Sequence, residues 1–208
     1  RYALRLNTTG GSNTAVGNQA LDANTTGASN TAMGVNALGS NTTASQNCAF
    51  GDQALAGNTT GANNIAVGHD ALESNTTANN GTAVGFEALK ANTTGPNNVA
   101  VGNYNLTLNT TGDGNTALGY GVLQANTTAN NNTAVGRNAM TGNTQGHSNT
   151  VVGAYALDAS MDSDENTAIG YQALSAITTG YANVAVGNKA ADNQTVGYHN
   201  VYVGDNAG

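Results

Sequence analysis

Four carboxylates lie close together around the segment S-M-D-S-D-E. They are Asp158, Asp162, Asp164 and Glu165. Carboxylate oxygens are hard ligands of the kind that bind Ca²⁺. Their spacing matches no EF-hand loop, however, and the central glycine of such a loop is missing. The segment is therefore either a calcium site or a solvated acidic turn, and the pattern favours the turn.

A second chemical signal is the recurring N-T-T triplet, which is formally an acceptor for N-glycosylation. Its asparagines include Asn24, Asn41, Asn58, Asn75 and Asn92. The alternative is a turn whose side chains bond to the backbone and to their own copies in neighbouring repeats. Repetition favours the turn, since glycans about 4.8 Å apart would crowd one another. The same row could form an ice-binding face, but adjacent threonines of a strand point to opposite sides.

Aromatic side chains recur in the most variable positions of the repeat, directly after its V-G step. They are Phe86, Tyr104, Tyr120, Tyr155 and Tyr171. Variation within one chain indicates solvent exposure, so these residues predict an outer aromatic ridge that could contact a cell-surface glycan. Scattered exposed tyrosines are also normal on a soluble protein, and that interpretation stays open.

The sequence gives little support for catalysis, metal binding by histidine or nucleic-acid binding. No serine or cysteine has a histidine in its own repeat together with a carboxylate, so we expect no enzyme. His69, His147 and His199 lie too far apart for a shared metal, and no cofactor is expected. Five Lys and Arg face twelve Asp and Glu, and the net charge of −7 argues against a nucleic-acid partner.

The elements that carry these residues follow from a strict period. Glycines from Gly17 to Gly204 recur every 17 residues, twelve times without insertion or deletion, in the unit N-T-A-V-G-x-x-A-L-x-x-N-T-T-G-x-N. Such self-similarity is typical of arrays in which each unit buries its apolar face against its neighbours. Residues 1–208 are therefore interpreted as a single repeat array. Both ends fall in mid-repeat, so a fragment of a longer chain is expected.

Short strands fit this unit better than helices, because turn residues recur too often. In T-A-V, Thr14 and Val16 share one face and Ala15 takes the other. The apolar content of both faces predicts that both are buried, and Cys48 is interpreted as a small buried hydrophobe. A second strand is expected at A-L and a third extended piece at N-T-T, with glycines at the corners. The fold class is therefore all-β, a parallel β-solenoid or β-roll of about twelve 17-residue coils.

Two consequences are specific enough to check. The valines Val67, Val84 and Val101 and the leucines Leu72, Leu89 and Leu106 should be buried in consecutive coils. About two large aliphatic side chains per coil do not offset the backbone entropy of an ordered coil, so partner chains should cover more surface. A homotrimeric fibre is the simplest such assembly. No segment approaches the ~20 apolar residues of a membrane helix, so no membrane insertion is expected.

The repeat N-T-A-V-G-x-x-A-L-x-x-N-T-T-G resembles the arrays of phage tail-fibre and bacterial surface proteins that end in an endosialidase-type chaperone domain. Its Asn-to-Gly part also resembles the head repeats of trimeric autotransporter adhesins, whose period differs. The resemblance implies a structural fibre or shaft segment of an attachment appendage, an adhesin or tail fibre, located outside the cell, on its surface or on a virion. It supplies no catalytic residue. The alternative is a monomeric ice- or glycan-binding β-solenoid, and a β-helix enzyme is the third choice.

Overall fold

A computed structural model describes residues 2–208 of the chain. In that part the protein is all-β, without a helix, and consists of about 11 turns of β-solenoid at a spacing of about 17 residues. The turns fall into two compact units, Arg1–Asn103 and Tyr104–Gly208. The predicted all-β class, period and parallel solenoid are confirmed. The homotrimer stays a prediction.

Each coil contributes one strand of three residues to the main sheet of its unit. The first unit contains β1 (Thr14–Val16), β2 (Thr31–Met33), β3 (Cys48–Phe50), β4 (Ile65–Val67), β5 (Thr82–Val84) and β6 (Val99–Val101). The main sheet of the second unit contains β7 (Thr116–Leu118), β8 (Thr133–Val135), β9 (Thr150–Val152), β11 (Thr167–Ile169), β13 (Val184–Val186) and β15 (Val201–Val203). The second unit adds a small sheet of β10 (Asp162–Asp164), β12 (Thr179–Tyr181) and β14 (Val196–Tyr198).

Neighbouring strands pair in parallel and without any register shift, so equivalent slots of successive repeats stand side by side. Cys48 pairs with Ile65, and Ala49 pairs with Ala66. In the second unit the same rule places Thr167 beside Val184. An exact sequence period therefore becomes straight rows of equivalent side chains, because parallel strands of one sheet keep a constant spacing of about 4.8 Å.

The two faces of the T-A-V strand differ from the prediction. The central alanine points into the coil and is fully buried, as Ala66 and Ala83 show at 0% exposure. The flanking residues point outward and are half-buried or exposed, and Val67 is 37% exposed. The predicted burial of Val67, Val84 and Val101 is therefore wrong, and Cys48 also lies on this outer face. Leucine and asparagine side chains fill most of the narrow interior of the coil. The space that remains at this position accommodates the methyl group of alanine.

The predicted leucine row is confirmed, but its backbone is not a strand. Leu72, Leu89 and Leu106 are fully buried, and each has a positive φ between 51° and 54°. The A-L segment is a turn in which the residue two positions before leucine also has positive φ, as Asp70 does at 58°. Left-handed backbone cannot continue a β-strand, so the expected second strand is replaced by a corner that turns the leucine into the interior.

Glycine is required at one of the two predicted corners. Gly34 has φ of +144°, and a Cβ there would lie 2.1 Å from the Gly51 carbonyl oxygen. The glycine after Thr-Thr does not need positive φ, and Ala44 occupies that slot in the third coil. Positive φ comes two residues later instead, as at Gln46 with φ of 64°. Polar side chains at such positions tolerate the left-handed region better than branched ones.

Two rows of buried asparagines complete the interior. In the N-T-T row, the Asn58 Nδ2 donates to Asn41 Oδ1 at 2.9 Å and to the Gly61 carbonyl at 2.9 Å. In the row that precedes the strand, the Asn47 Nδ2 also donates to the Gly61 carbonyl, at 2.9 Å. The backbone N–H of Asn64 donates to Asn47 Oδ1 at 2.9 Å. Side-chain amides therefore join coil to coil and tie the two rows together.

The row that precedes the strand is interrupted once, at Gly81, whose N–H donates to Asn64 Oδ1 at 2.7 Å. We expect Gly81→Asn to raise the free energy of unfolding by about 1 kcal/mol and the melting temperature by about 2 to 4 °C. The new amide would restore the repeated bonding, and the unfolded chain would lose glycine's freedom. Thermal unfolding followed by circular dichroism measures the change.

Gly81→Ala is the matched control, because it adds a Cβ and reduces unfolded-state entropy but carries no amide. A Cβ at this position would lie 3.0 Å from Asn64 Oδ1, so that side chain must shift by a few tenths of an ångström in both variants. An alanine variant as stable as the asparagine variant would contradict the proposed contribution of the amide.

Candidate functional site

The formal glycosylation acceptors lie inside the coils. Asn24, Asn41, Asn58 and Asn75 are fully buried, and Asn92 is 1% exposed. Each Nδ2 donates to the preceding asparagine of the row and to the carbonyl three residues later. The second threonine of the triplet is exposed, whereas the first donates its hydroxyl to the next coil, as Thr59 does to Thr76. Attachment of a glycan to these amides would require the coil to open.

The small second sheet begins where this asparagine row ends. Up to Asn143, the side-chain Nδ2 bonds the carbonyl three residues later, which holds the N-T-T segment in a bend. In the next three repeats the slot holds Ser160, Ile177 and Gln194, and the residues that follow are extended and paired as β10, β12 and β14. Loss of the capping amide frees the backbone to form ladder hydrogen bonds. The N-T-T triplet, predicted as a third extended piece, is therefore a bend in the other repeats, and the strands of these three repeats begin only at its last residue.

The small sheet carries a groove with an unusual lining. Its outward rows are Asp162, Thr179 and Val196 on one side and Asp164, Tyr181 and Tyr198 on the other. These side chains line an open groove of about 250 Å³. The rings of Tyr181 and Tyr198 stack with centroids 5.5 Å apart and planes 13° apart. The groove is therefore lined by an aromatic pair next to two carboxylates.

The four predicted carboxylates are not brought together as a calcium site. Asp162 and Asp164 line the groove, whereas Glu165 is exposed in the following turn with φ of 57°. Asp158 lies on the preceding turn, and burial raises the pKa of its carboxyl above the ordinary value, although backbone N–H groups oppose this shift. Within residues 2–208, no group of three or more His, Cys, Asp or Glu side chains could hold a metal ion. The acidic-turn interpretation describes Asp158 and Glu165, whereas Asp162 and Asp164 lie on strand β10.

The predicted aromatic positions pair locally within each unit. In the second unit, Tyr104 meets Tyr120 edge to face at 5.7 Å, and Tyr155 meets Tyr171 in the same way at 6.2 Å. In the first unit Phe86 stacks on His69 at 5.4 Å. Tyr120 and Tyr171 are about half exposed, at 50% and 47%. These side chains are available for contact, but whether they bind a glycan stays a prediction.

A charged cluster surrounds the stacked His69 in the first unit. Lys90 Nζ lies 2.8 Å from Asp70 Oδ2 and 3.0 Å from Glu87 Oε1. The hydrogen bonds to Asp70 and Glu87 raise the pKa of Lys90 above its ordinary value. The Asp70 side chain is 7% exposed, so the lysine compensates a charge that is almost buried. This cluster stabilises the corner after β4, because a buried charge without a partner is costly.

The largest continuous feature is the outer face of each main sheet. Its two rows consist of threonine, valine and other uncharged residues in all twelve strands. Phe50 is 44% exposed and Ile65 is 44% exposed in the first unit, and Leu118 is 46% exposed in the second. We name this surface the outer sheet face. It presents apolar side chains in straight rows, with no charge among them.

Sequence reasoning missed two features of the site. Tyr181 and Tyr198 were not among the predicted contact residues, although the change from N-T-T to I-T-T and Q-T-V marks their repeats. The outward direction of the T-x-V side chains was also missed, because alternation separates the two faces of a strand without saying which is inside. No family model matches the chain, and no curated protein or solved structure matches it either. Across residues 2–208, no helix is long and apolar enough to cross a membrane.

Proposed function

We propose that this chain is a structural segment of an attachment fibre, an adhesin or tail fibre, whose copies pack together through the outer sheet face. The observation that carries the proposal is the exposed, uncharged, β-branched surface of the main sheets. A soluble monomer rarely leaves such a regular apolar surface in water. Interface cores are depleted in charged residues in the same way.

The size of the face is consistent with association through many small contacts. Six strands about 4.8 Å apart, with a face about 10 Å wide, give roughly 300 Å² on each unit. A standard interface buries roughly 800 Å² on each partner, so both units together, at roughly 600 Å², fall short of it and a stable complex needs further surface beside the face or further coils. A repeat array suits this requirement, because every added coil extends the same face.

The fibre, its trimeric state and a location outside the cell or on a virion rest on this face together with the resemblance of the repeat. A shaft needs length, a uniform surface and no localised active site. The rows of equivalent side chains supply the uniform surface, and weak equal contacts repeated along a row gain strength through multivalency.

The test is the oligomeric state of the purified chain and of one face variant. We expect native mass measurement to give three times the 20.6 kDa of one chain. Phe50→Lys combined with Val84→Lys should raise the dissociation constant at least about 100-fold, because two ammonium groups would be buried without partners. Sedimentation velocity over a concentration series measures this change.

Thr60→Lys combined with Thr94→Lys is the matched control, since it adds the same charge two coils apart on the exposed threonines of the N-T-T turn. This variant should assemble like the wild type. A wild-type chain that stays monomeric at high concentration would refute self-association, as would equal dissociation of both variants.

A monomer would favour the alternative of an ice- or glycan-binding solenoid. One observation supports the ice-binding version: the first outward row contains threonine at Thr116, Thr133, Thr150 and Thr167 in successive strands of one sheet. Thermal hysteresis of the monomer, lost on Thr133→Lys, would identify this function. Its absence in a monomeric chain would leave a glycan ligand as the alternative.

A further inference from the structure

We propose that the groove on the small sheet binds an organic ammonium group. The groove is formed by Asp162, Asp164, Tyr181 and Tyr198 within the second unit. The proposal does not rest on self-association, because one chain supplies every residue of the site. It also differs from the predicted aromatic positions, since neither tyrosine belongs to them.

An exposed pair of aromatic rings lines the groove. Pairing in register places Tyr181 between Asp164 and Tyr198 in one row. Tyr181 is 46% exposed and Tyr198 is 60% exposed, and both rings line the groove. The rings of Tyr181 and His199 meet in a T-shaped contact, with centroids 4.9 Å apart, which holds the orientation of Tyr181. Ordered tyrosine rings attract cations through the negative charge of their faces.

The groove carries a negative charge. Asp164 Oδ1 accepts the backbone N–H of His147 at 2.6 Å, which fixes that carboxylate. The Asp162 side chain is exposed and makes no hydrogen bond or ion pair with any residue in the range 2–208. No lysine, arginine or histidine lines the groove. The field of two carboxylates on one strand therefore attracts a positive group.

The lining of the groove favours an organic ammonium group over a metal ion. Two carboxylates are too few to replace the six to eight oxygen ligands that Ca²⁺ takes. A metal ion would also gain little from the tyrosine rings and from Val196. An ammonium group that carries alkyl substituents uses all of these surfaces, because its charge faces the carboxylates and its methyl groups contact the rings and the valine.

The test uses the purified full chain and choline as the probe. Nuclear magnetic resonance should show shifts of the Tyr181 and Tyr198 ring protons that saturate in the millimolar range of choline. The neutral carbon isostere of choline, 3,3-dimethylbutan-1-ol, should bind at least about tenfold more weakly because it lacks the charge. Raising the salt from about 20 mM to about 200 mM should weaken choline binding several-fold.

Three variants locate the site and separate charge from packing. Asp162→Asn should raise the dissociation constant for choline about five- to tenfold. Tyr198→Leu should raise it about fivefold or more, whereas Tyr198→Phe should leave it within about twofold, because the ring face is kept. Circular dichroism confirms that each variant is folded, and the conservative Tyr198→Phe keeps the test informative if Tyr198→Leu unfolds.

Asp52→Asn and Tyr171→Leu are matched controls, since they remove an exposed carboxylate and an exposed tyrosine outside the groove. Both should bind choline like the wild type. The proposal is overturned if the neutral isostere or methyl glucoside binds as tightly as choline, if Asp162→Asn keeps full affinity, or if choline shifts no groove residue. A monomeric wild type that still binds choline would refute the fibre proposal and leave this site standing.

Discussion

Asn58→Asp should remove on the order of 5 kcal/mol from the free energy of unfolding, which for a domain of ordinary stability is most of it. Asn58 is fully buried, and its Nδ2 donates to Asn41 Oδ1 and to the Gly61 carbonyl. The substitution keeps the shape but replaces this donor with a third acceptor oxygen. Three acceptors would then face one another in a dry interior, and at neutral pH the new group would also carry a charge.

The pH dependence gives this prediction a distinctive sign. Burial against two acceptor oxygens raises the folded-state pKa of the introduced carboxyl above its unfolded value of about 3.9, although the Asn75 Nδ2 still donates to its other oxygen. The protonated form is then favoured by the folded chain, so the lost stability is partly regained as pH falls through the folded-state pKa. We therefore expect the difference from wild type to be smaller at about pH 4 than at about pH 7. Urea unfolding at both pH values measures it.

Asn79→Asp is the matched control, because Asn79 is exposed and uses only its Oδ1, which accepts the Ala62 N–H at 2.7 Å. The same slot holds Asp164 five repeats later, and there a carboxylate oxygen accepts the equivalent backbone N–H. This control should change stability by less than about 0.5 kcal/mol. Equal unfolding midpoints for the two variants would show that the buried amide row contributes nothing specific.

Leu72→Ala should cost about 3 to 5 kcal/mol, because Leu72 is the largest fully buried side chain in its coil. The neighbouring coils are tied to this one by regular hydrogen bonds, such as that from the Leu72 N–H to the Ala88 carbonyl at 3.0 Å. Those bonds keep the walls in place, so the cavity cannot collapse. Chemical denaturation measures the loss.

Two further substitutions at this position separate volume from backbone conformation. Leu72→Met should cost less than about 1.5 kcal/mol, since Met140 fills the same slot in the second unit with φ of 51°. Leu72→Ile keeps the volume but places a β-branched side chain at φ of 52°, and should cost about 2 to 4 kcal/mol. If isoleucine were tolerated as well as methionine, the left-handed corner would not exist in solution.

The outer sheet face and the groove would serve different roles in an attachment protein. The face repeats in every coil and suits association between copies, whereas the groove occurs on one small sheet and suits recognition of a defined chemical group. Substitutions in the two places should therefore separate assembly from ligand binding. Phe50→Lys with Val84→Lys would affect assembly alone, and Asp162→Asn would affect choline binding alone.

The amino-acid sequence alone predicts the period, the parallel pairing, the strand at T-A-V and the buried leucine row. A constant spacing of 17 residues places equivalent residues side by side in any stacked fold, so these features follow without knowledge of the coil's path. The same regularity favours a hydrogen-bonded turn for Asn58 and its equivalents. The repeat position of Leu72 holds an apolar residue in nearly every repeat, and exposure to solvent would not require such regularity.

Which face of each strand lies inside depends on how the side chains of a whole coil pack together. Alternation assigns Ala66 and Val67 to opposite faces, but the narrow cross-section, already filled by leucine and two asparagine rows, admits the smaller side chain. The left-handed backbone of Leu72 was equally hidden, since leucine rarely adopts it and the corner imposes it. Tyr181 and Tyr198 meet because three successive repeats have another residue in place of the N-T-T asparagine. Without that amide, the backbones of these repeats form a second ladder of strands, which stacks the two rings.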